Sequence, residues 1–539
     1  MKRLGAVFAA VAMIVTVIAV VAGQQGAQAT TPERAAATLS WSTCGQLECA
    51  TLAVPRDYAH PGNGSITLAL TRKVHTQLPY LGMMLTNPGG PGASGTGLPL
   101  LANNVPGTVA NQYDWIGFDP RGVGQSTPSL HCDSHFFGSD RPNYTPSTAR
   151  LMNFWVTKTT RYSRACGRST ARALLPFLST RDTVRDMESI RAAYQASASF
   201  LDQPALDKLN FYGFSYGTYL GQVYAVTYPA KVGRFVLDGV VDPISYWYRA
   251  NLNQEIGFDR NLGIYFRWLA SHPAVFHLGT DGGAILRGFR AELRKLGRHP
   301  AAGGRLGPDE LIDAMLDAGY YVYDWATIGD AYSNLIRHGQ GAALFDMYSQ
   351  ANQGDDNGYA MYLATQCTDV LRPPWARQVR DAWNINATHP FLAWDNTWFN
   401  APCRYWPAAS KARIPIYGGR AGVTAPILMI NETYDAATPF SGALTSRGRF
   451  PTSALIEGVG GTTHAGSLSG VGCVDNRIAQ YLATGALPHR LSGRRSDLRC
   501  PKVPPPPVGA ARTSARAGGG MPASLRAQLM RAQLIGLRD

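Results

Sequence analysis

Residues 209–221 read LNFYGFSYGTYLG. Leu209, Phe211 and Tyr212 form an apolar, aromatic run that stops at Gly213-Phe214-Ser215-Tyr216-Gly217, and a helical pattern starts at Thr218. Strand, tight turn and helix in that order make a nucleophile elbow. Such a turn forces its central residue into strained backbone angles, and side chains two residues to either side would clash, which is the reason for Gly213 and Gly217. Ser215 then stands at the tip, before a helix N-terminus whose free N–H groups can stabilise a developing oxyanion. In a chain with 57 glycines the pentapeptide alone is weak, so its surroundings must decide.

Upstream, Ser65–Thr71 alternates like a strand, and the short apolar run Leu81–Thr86 ends in Asn87-Pro88-Gly89-Gly90-Pro91-Gly92-Ala93-Ser94-Gly95. So many Gly and Pro directly after a strand build a loop that exposes backbone amides at a fixed place. Asp114–Phe118 is the next strand and runs into Asp119-Pro120-Arg121-Gly122, read as a structural turn in which Asp119 and Arg121 form an ion pair. Val184, Met187, Ile190 and Tyr194 recur at helical spacing over Thr180–Tyr194. After the elbow, Gly233–Val240 is another buried strand.

From 242 to 414 the pattern changes to helical stretches, such as Asn251–Ala270, Pro308–Gly319 and Asp330–His338, with many Trp and Tyr and no run of buried strands. This reads as a helical lid inserted between two sheet strands, on the side where Ser215 emerges. The strand pattern resumes at Ala425–Asn431, followed by Thr433-Tyr434-Asp435, and Ala454–Val459 is read as the last strand, leading into Gly460-Gly461-Thr462-Thr463-His464. Strands alternating with helices predict an α/β fold with a mostly parallel sheet, whose functional groups gather at strand C-termini.

Three loops at such ends carry Ser215, Asp435 and His464, the chain order nucleophile, acid, histidine of an α/β-hydrolase triad. His464 would take the Ser215 proton during attack and return it to the leaving group, while Asp435 holds the imidazole tautomer. Glu432 competes for the acid role but lies within the strand, whereas Asp435 lies beyond its end. One oxyanion donor is the N–H of Tyr216; the second is that of Gly89 or Gly90, between which spacing does not choose. No cofactor is required.

The combination of NPGGPGASG (87–95), DPRGVGQS (119–126), GFSYGTYLG (213–221), RFVLDGVVDP (234–243), a long helical insertion, TYDAATP (433–439) and GGTTHAG (460–466) resembles the secreted tripeptidyl aminopeptidase group of bacterial α/β hydrolases, relatives of prolyl aminopeptidases. The likeness spans residues 40 to 500. It implies cleavage of short peptides from a free N-terminus, with the triad on Ser215, Asp435 and His464, and it favours Gly90 as oxyanion donor. Pro88 stands where the related HGGPG-type loop has its His. An exopeptidase must hold a free α-ammonium, and the lid acids Glu255 and Asp369 are the expected anchors, with Asp324 and Asp330 behind them.

Bulk features bound the setting. Met1-Lys2-Arg3, an uncharged run from Leu4 to Gly23 and Ala27-Gln28-Ala29 make a secretory signal peptide over 1–29. The eight cysteines are expected as four disulfides, and of about 105 connectivities sequential pairing is preferred: Cys44 with Cys49, Cys132 with Cys166, Cys367 with Cys403, Cys473 with Cys500. No CxxC or Cys/His cluster at zinc spacing occurs, so no metal site is expected. The formal charge of +14 comes from 42 Arg and only 8 Lys, and residues 501–539 contribute a net +5 of it. Without a basic stripe interleaved with aromatics, nucleic acid is excluded as a partner. The chain is therefore divided into signal peptide (1–29), hydrolase core (30–241 and 415–500), lid (242–414) and a Pro-rich basic tail (501–539), and is expected to be a secreted or wall-associated monomer acting on peptides. The same triad would serve a carboxylesterase or amidase, and an inactive wall-binding protein is the remaining alternative, against which the intact triad argues.

Overall fold

The computed structural model describes residues 38–509, apart from 140, 198–206 and 353–354. The expected signal peptide and residues 510–539 of the expected tail lie outside the described residues.

Ten strands form one sheet in the order β1-β2-β3-β5-β4-β6-β7-β8-β9-β10. They are β1 (Ser42–Cys44), β2 (Leu47–Pro55), β3 (Ser65–Lys73), β4 (Met83–Asn87), β5 (Asp114–Phe118), β6 (Leu209–Phe214), β7 (Val232–Asp238), β8 (Ile427–Glu432), β9 (Ser453–Val459) and β10 (Leu498–Pro501). From β5 through β4, β6, β7, β8 and β9 to β10 every pairing is parallel, while β1, β2 and β3 join antiparallel at the other edge. Strands β4, β5, β6 and β8 are buried along their whole length, as parallel strands covered on both faces must be.

Period-two alternation sorts each strand's side chains between two apolar layers. Leu85, Ile116, Phe211, Phe235, Leu237 and Met429 face the layer containing Val184, Met187 and Ile190 of the helix Thr180–Ser197 and Tyr219, Leu220 and Val223 of the helix Tyr216–Thr227. Met84, Trp115, Tyr212, Phe214, Val236 and Leu428 face Ile478, Tyr481 and Leu482 of the helix Gly472–Thr484.

Three strands, β1, β2 and β10, are not expected from the sequence. Residues 47–55, where no strand is expected, form β2, because Ala50, Leu52 and Val54 alternate inward against β3. Strand β9 is not the last: β10 extends the parallel sheet beside it, a four-residue strand with no alternation of its own, specified by register with β9. The sulfurs bond in the pairs Cys44–Cys49, Cys132–Cys166, Cys367–Cys403 and Cys473–Cys500.

The turn after β5 is braced differently from the expected Asp119–Arg121 pair. Asp119 accepts from Ser94 Oγ (2.5 Å), the Gly95 N–H (3.1 Å) and the Gln125 N–H (2.8 Å), tying this turn to the glycine-rich loop after β4. Arg121 reaches the other way, to both oxygens of Asp186 at 2.6 Å and to the Phe177 carbonyl at 2.8 Å.

Between β7 and β8 the described residues form helices, among them Tyr248–Ala270, Pro308–Tyr320, Trp325–His338, Asn357–Asp369 and Ala393–Asn400. They share a third apolar layer, built on Phe258, Tyr265, Leu311, Tyr359 and Trp398, which also takes in Ala436 and Ala437 from the loop after β8. Among the described residues no helix is long and apolar enough to cross a membrane.

Candidate active site

Ser215 sits between β6 and the helix Tyr216–Thr227 with φ 53° and ψ −123°, a left-handed conformation that a residue with a side chain adopts only under constraint. The constraint is visible on both sides: the Ser215 N–H donates to the Asp238 carbonyl at 2.9 Å, and its own carbonyl accepts from Thr218 at 2.8 Å. A Cβ on Gly213 would lie 2.7 Å from the Gly217 carbonyl, and one on Gly217 would lie 2.8 Å from the Asn87 carbonyl, so neither position admits a side chain.

Tertiary folding brings Asp435 and His464 together. The His464 Nδ1 lies 2.8 Å from Asp435 Oδ2, and both residues are buried. The ring's other nitrogen, Nε2, is buried and has no hydrogen-bond partner, which leaves it available to a hydroxyl. Thr438 completes the group: its N–H donates to Asp435 Oδ1 (2.9 Å), its hydroxyl donates to Asp435 Oδ2 (2.8 Å), and that hydroxyl is 3.3 Å from His464 Nδ1. Asn431, at the end of β8, donates to the Thr438 carbonyl and accepts from the Val240 N–H, locking the acid loop to β7. The helix Pro308–Tyr320 holds the histidine loop, since the His464 N–H donates to the Tyr320 carbonyl at 2.8 Å and the two rings meet edge to face.

The two candidate oxyanion donors are separated by their partners. The Gly89 N–H is already given to Asn87 Oδ1 at 3.0 Å. Gly90 lines the cleft together with Ser215 and Tyr216. Gly89 instead permits close approach: with φ +103°, a Cβ there would lie 2.8 Å from Ser215 Cβ and 3.1 Å from the Tyr216 nitrogen.

Glu432 is engaged by main-chain donors and not by the His464 ring. Its two oxygens accept from the Thr463 N–H (2.6 Å) and the Val503 N–H (2.7 Å), so it ties the histidine loop to the segment after β10. Burial pushes its carboxyl from the ordinary 4.5 up to about 8, against the pull of those two N–H groups. The folded chain then keeps the proton that the unfolded chain gives up near pH 4.5, so Glu432 subtracts stability progressively as pH rises to about 8. Glu432→Gln is uncharged throughout. It should be less stable than the parent at pH 5, where it loses an acceptor, and the deficit should shrink towards pH 8.5. Thermal unfolding of both proteins across this range checks it; a constant deficit would mean that Glu432 does not titrate in this window.

A cleft opens over Ser215. Its walls include Val241, Asp242, Trp247, Asn251, Gln254, Tyr320, Tyr362, Gln366 and the Ala437–Gly442 stretch. The expected amine anchors fall elsewhere. Asp369 does not line the cleft: its carboxylate is consumed by the Thr180 N–H and hydroxyl (2.8 and 2.6 Å) and the Trp247 indole N–H (3.1 Å), and burial pushes it up to about 6. Glu255 is buried against a small neighbouring pocket, which shares Asn251 with the cleft. Asn396 donates to its Oε1 at 3.3 Å, its Oε2 has no partner, and burial holds the carboxyl well above the usual range. Asp324 and Asp330 are not among the cleft's lining residues. Sequence reading missed Thr438, for which the spacing of three from Asp435 is a usable signal, and Tyr320 and Gln254, for which the sequence offers none.

The TAP-like protein family model matches residues 389–500, the stretch that holds Asp435 and His464. The chain is 33% identical over 483 residues to a tripeptidyl aminopeptidase of Streptomyces lividans, covering 86% of this chain and 87% of that one. It is 28% identical to the serine protease Hip1 of Mycobacterium tuberculosis, over 82% of this chain and 86% of the relative. It is also 28% identical to a carboxylesterase B of the same organism, over 86% and 89%. A strained serine at the end of β6, a buried histidine and acid beyond β9 and β8, and likeness running through most of the chain agree: this protein is a serine hydrolase and belongs to the tripeptidyl aminopeptidase family of α/β hydrolases.

Proposed function

We propose that the protein is a secreted exopeptidase that releases tripeptides, or shorter pieces, from free N-termini. Ser215 is the nucleophile, His464 the general base and then acid, and Asp435 the group that orients the imidazole and stabilises its cation. Ser215 Oγ bonds to the scissile carbonyl carbon while its proton passes to His464 Nε2. The oxyanion is met by the Tyr216 and Gly90 N–H groups. Collapse breaks the C–N bond, the amine leaves with the proton from His464, and water activated by the same nitrogen frees the acyl product. The observation that carries the catalytic part is the 2.8 Å contact between His464 and Asp435, with Nε2 left unpartnered.

Glu255 is proposed as the anchor of the substrate's α-ammonium. Support comes from its unpartnered Oε2 and from its cavity, which adjoins the cleft at Asn251. An arriving ammonium would favour the ionised carboxylate that burial otherwise disfavours. Export through a signal peptide at 1–29 is supported by the four disulfides, which persist in oxidising surroundings. In this reading 242–414 acts as the lid over a core of 30–241 and 415–500, and 501–539 is a tail.

Paired fluorogenic tripeptides, one with a free amine and one acetylated, test the proposal. Turnover of the free-amine form, at least tenfold faster than that of the blocked form, is expected. Glu255→Gln should raise KM for the free-amine form and narrow that ratio. Equal turnover of both forms would replace the exopeptidase with an endopeptidase or esterase. The carboxylesterase B likeness favours the esterase as second reading, and short-chain ester hydrolysis without peptide turnover would establish it.

A further inference from the structure

Gln254 projects from the second turn of the helix Tyr248–Ala270 and lines the cleft beside Ser215 and the acid loop. Its Nε2 donates to the Ala437 carbonyl at 2.8 Å. A carbonyl accepts only from a donor, so this bond sets which end of the amide is which and fixes Oε1 on the opposite side. That Oε1 is buried and has no hydrogen-bond partner. A buried acceptor left unmade is a standing cost, recovered only when a donor arrives. The neighbouring amide differs: Gln366 Oε1 already accepts from Arg372 (2.6 Å) and Asn251 (3.4 Å). Gln254 thus lines the cleft and carries a buried, unpartnered acceptor, its amide held by a loop that also carries Asp435.

We propose that Gln254 is a specificity-determining residue that accepts a hydrogen bond from a backbone N–H in the acyl part of the substrate. The inference rests on the peptidase reading and gives it a physical basis for preferring peptides to esters. The triad attacks both acyl types alike, since Ser215, His464 and the oxyanion donors touch only the reacting carbonyl. An acceptor-only atom rewards a chain that presents N–H groups and is left unpaired by an acyl group that has none. Sites built around such a bond reject the analogue lacking it far more strongly than apolar pockets reject a missing methylene. The helix places Gln254 rigidly, so the bond is made without ordering a mobile side chain.

The test uses a free-amine fluorogenic tripeptide and two depsipeptide analogues, each with one acyl-side N–H replaced by oxygen. The full chain and its Gln254→Met and Gln254→Ala variants are assayed on all three, and turnover of a short-chain ester shows that each variant is folded with a working triad. In the parent protein, kcat/KM should fall about tenfold or more for one of the two depsipeptides. In Gln254→Met and Gln254→Ala the tripeptide should lose a similar factor, and its advantage over that depsipeptide should shrink to about twofold or less. Retention of the parent's preference in both variants would overturn the proposal while leaving the peptidase reading intact. Ester turnover with no cleavage of the tripeptide by the parent protein would overturn both.

Discussion

Replacing Ser215 with alanine is expected to lower kcat by a factor of about 10⁴–10⁶ on peptide or ester alike, with little change in stability. The backbone restraints at this position are main-chain bonds, from the Ser215 N–H to the Asp238 carbonyl and from the Thr218 N–H to the Ser215 carbonyl, and alanine keeps both. The φ of 53° is equally strained for either residue. What is lost is the one atom able to bond to the scissile carbonyl. His464→Ala should cost a comparable factor, because Ser215 then keeps its proton, and Ser215→Ala/His464→Ala should be no worse than the poorer single variant. Residual turnover above the solution rate would come from the Tyr216 and Gly90 N–H donors and from binding. Steady-state kinetics on one chromogenic ester and one fluorogenic peptide measure all of this; additive losses in the double variant would show that the two residues do not act as one unit.

The second large effect is on stability. Arg121 and Asp186 are both fully buried and joined by two bonds of 2.6 Å, and the guanidinium also serves the Phe177 carbonyl. Arg121→Met leaves the Asp186 carboxylate without its counter-charge, with Tyr58 as the remaining side-chain donor among the described residues. Breaking a buried pair from one side costs about 3–5 kcal/mol. Arg121→Met/Asp186→Leu, which removes both charges, should cost less than Arg121→Met alone. Urea unfolding resolves this as a lower midpoint at similar slope, with the midpoint partly restored in the double variant. A double variant worse than either single one would place the stabilisation in the carbonyl contacts rather than in the ion pair. Neither residue lines the cleft, so the folded variants should retain turnover.

Much of this protein is readable locally. The elbow is written in consecutive residues: an apolar strand, Gly213 and Gly217 where no Cβ fits, and a serine between them. The buried parallel strands announce themselves as apolar runs, and β5, Asp114–Phe118, has the bounds expected from the sequence. Even the order of Ser215, Asp435 and His464 along the chain follows from loops at successive strand ends. These features are legible because strain, periodicity and turn chemistry depend on neighbours within a few positions.

The rest depends on which residues distant in the chain become neighbours in space. Glu255 and Asp369 look alike as acidic residues on helices between β7 and β8, yet Asp369 spends its carboxylate on Thr180 and Trp247, while Glu255 retains an unpartnered oxygen. Gly89 and Gly90 are interchangeable by spacing, and only the Asn87 side chain, by taking the Gly89 N–H, distinguishes them. Gln254 becomes an open acceptor because the Ala437 carbonyl, 183 positions away in the chain, fixes its amide. By itself the sequence determined the α/β core and the strand–turn–helix setting of Ser215, because backbone strain and burial periodicity are local. Only the tertiary structure decided which polar groups remain unpartnered in the cleft, because satisfaction of a hydrogen bond is settled by whatever the folded chain brings within about 3 Å.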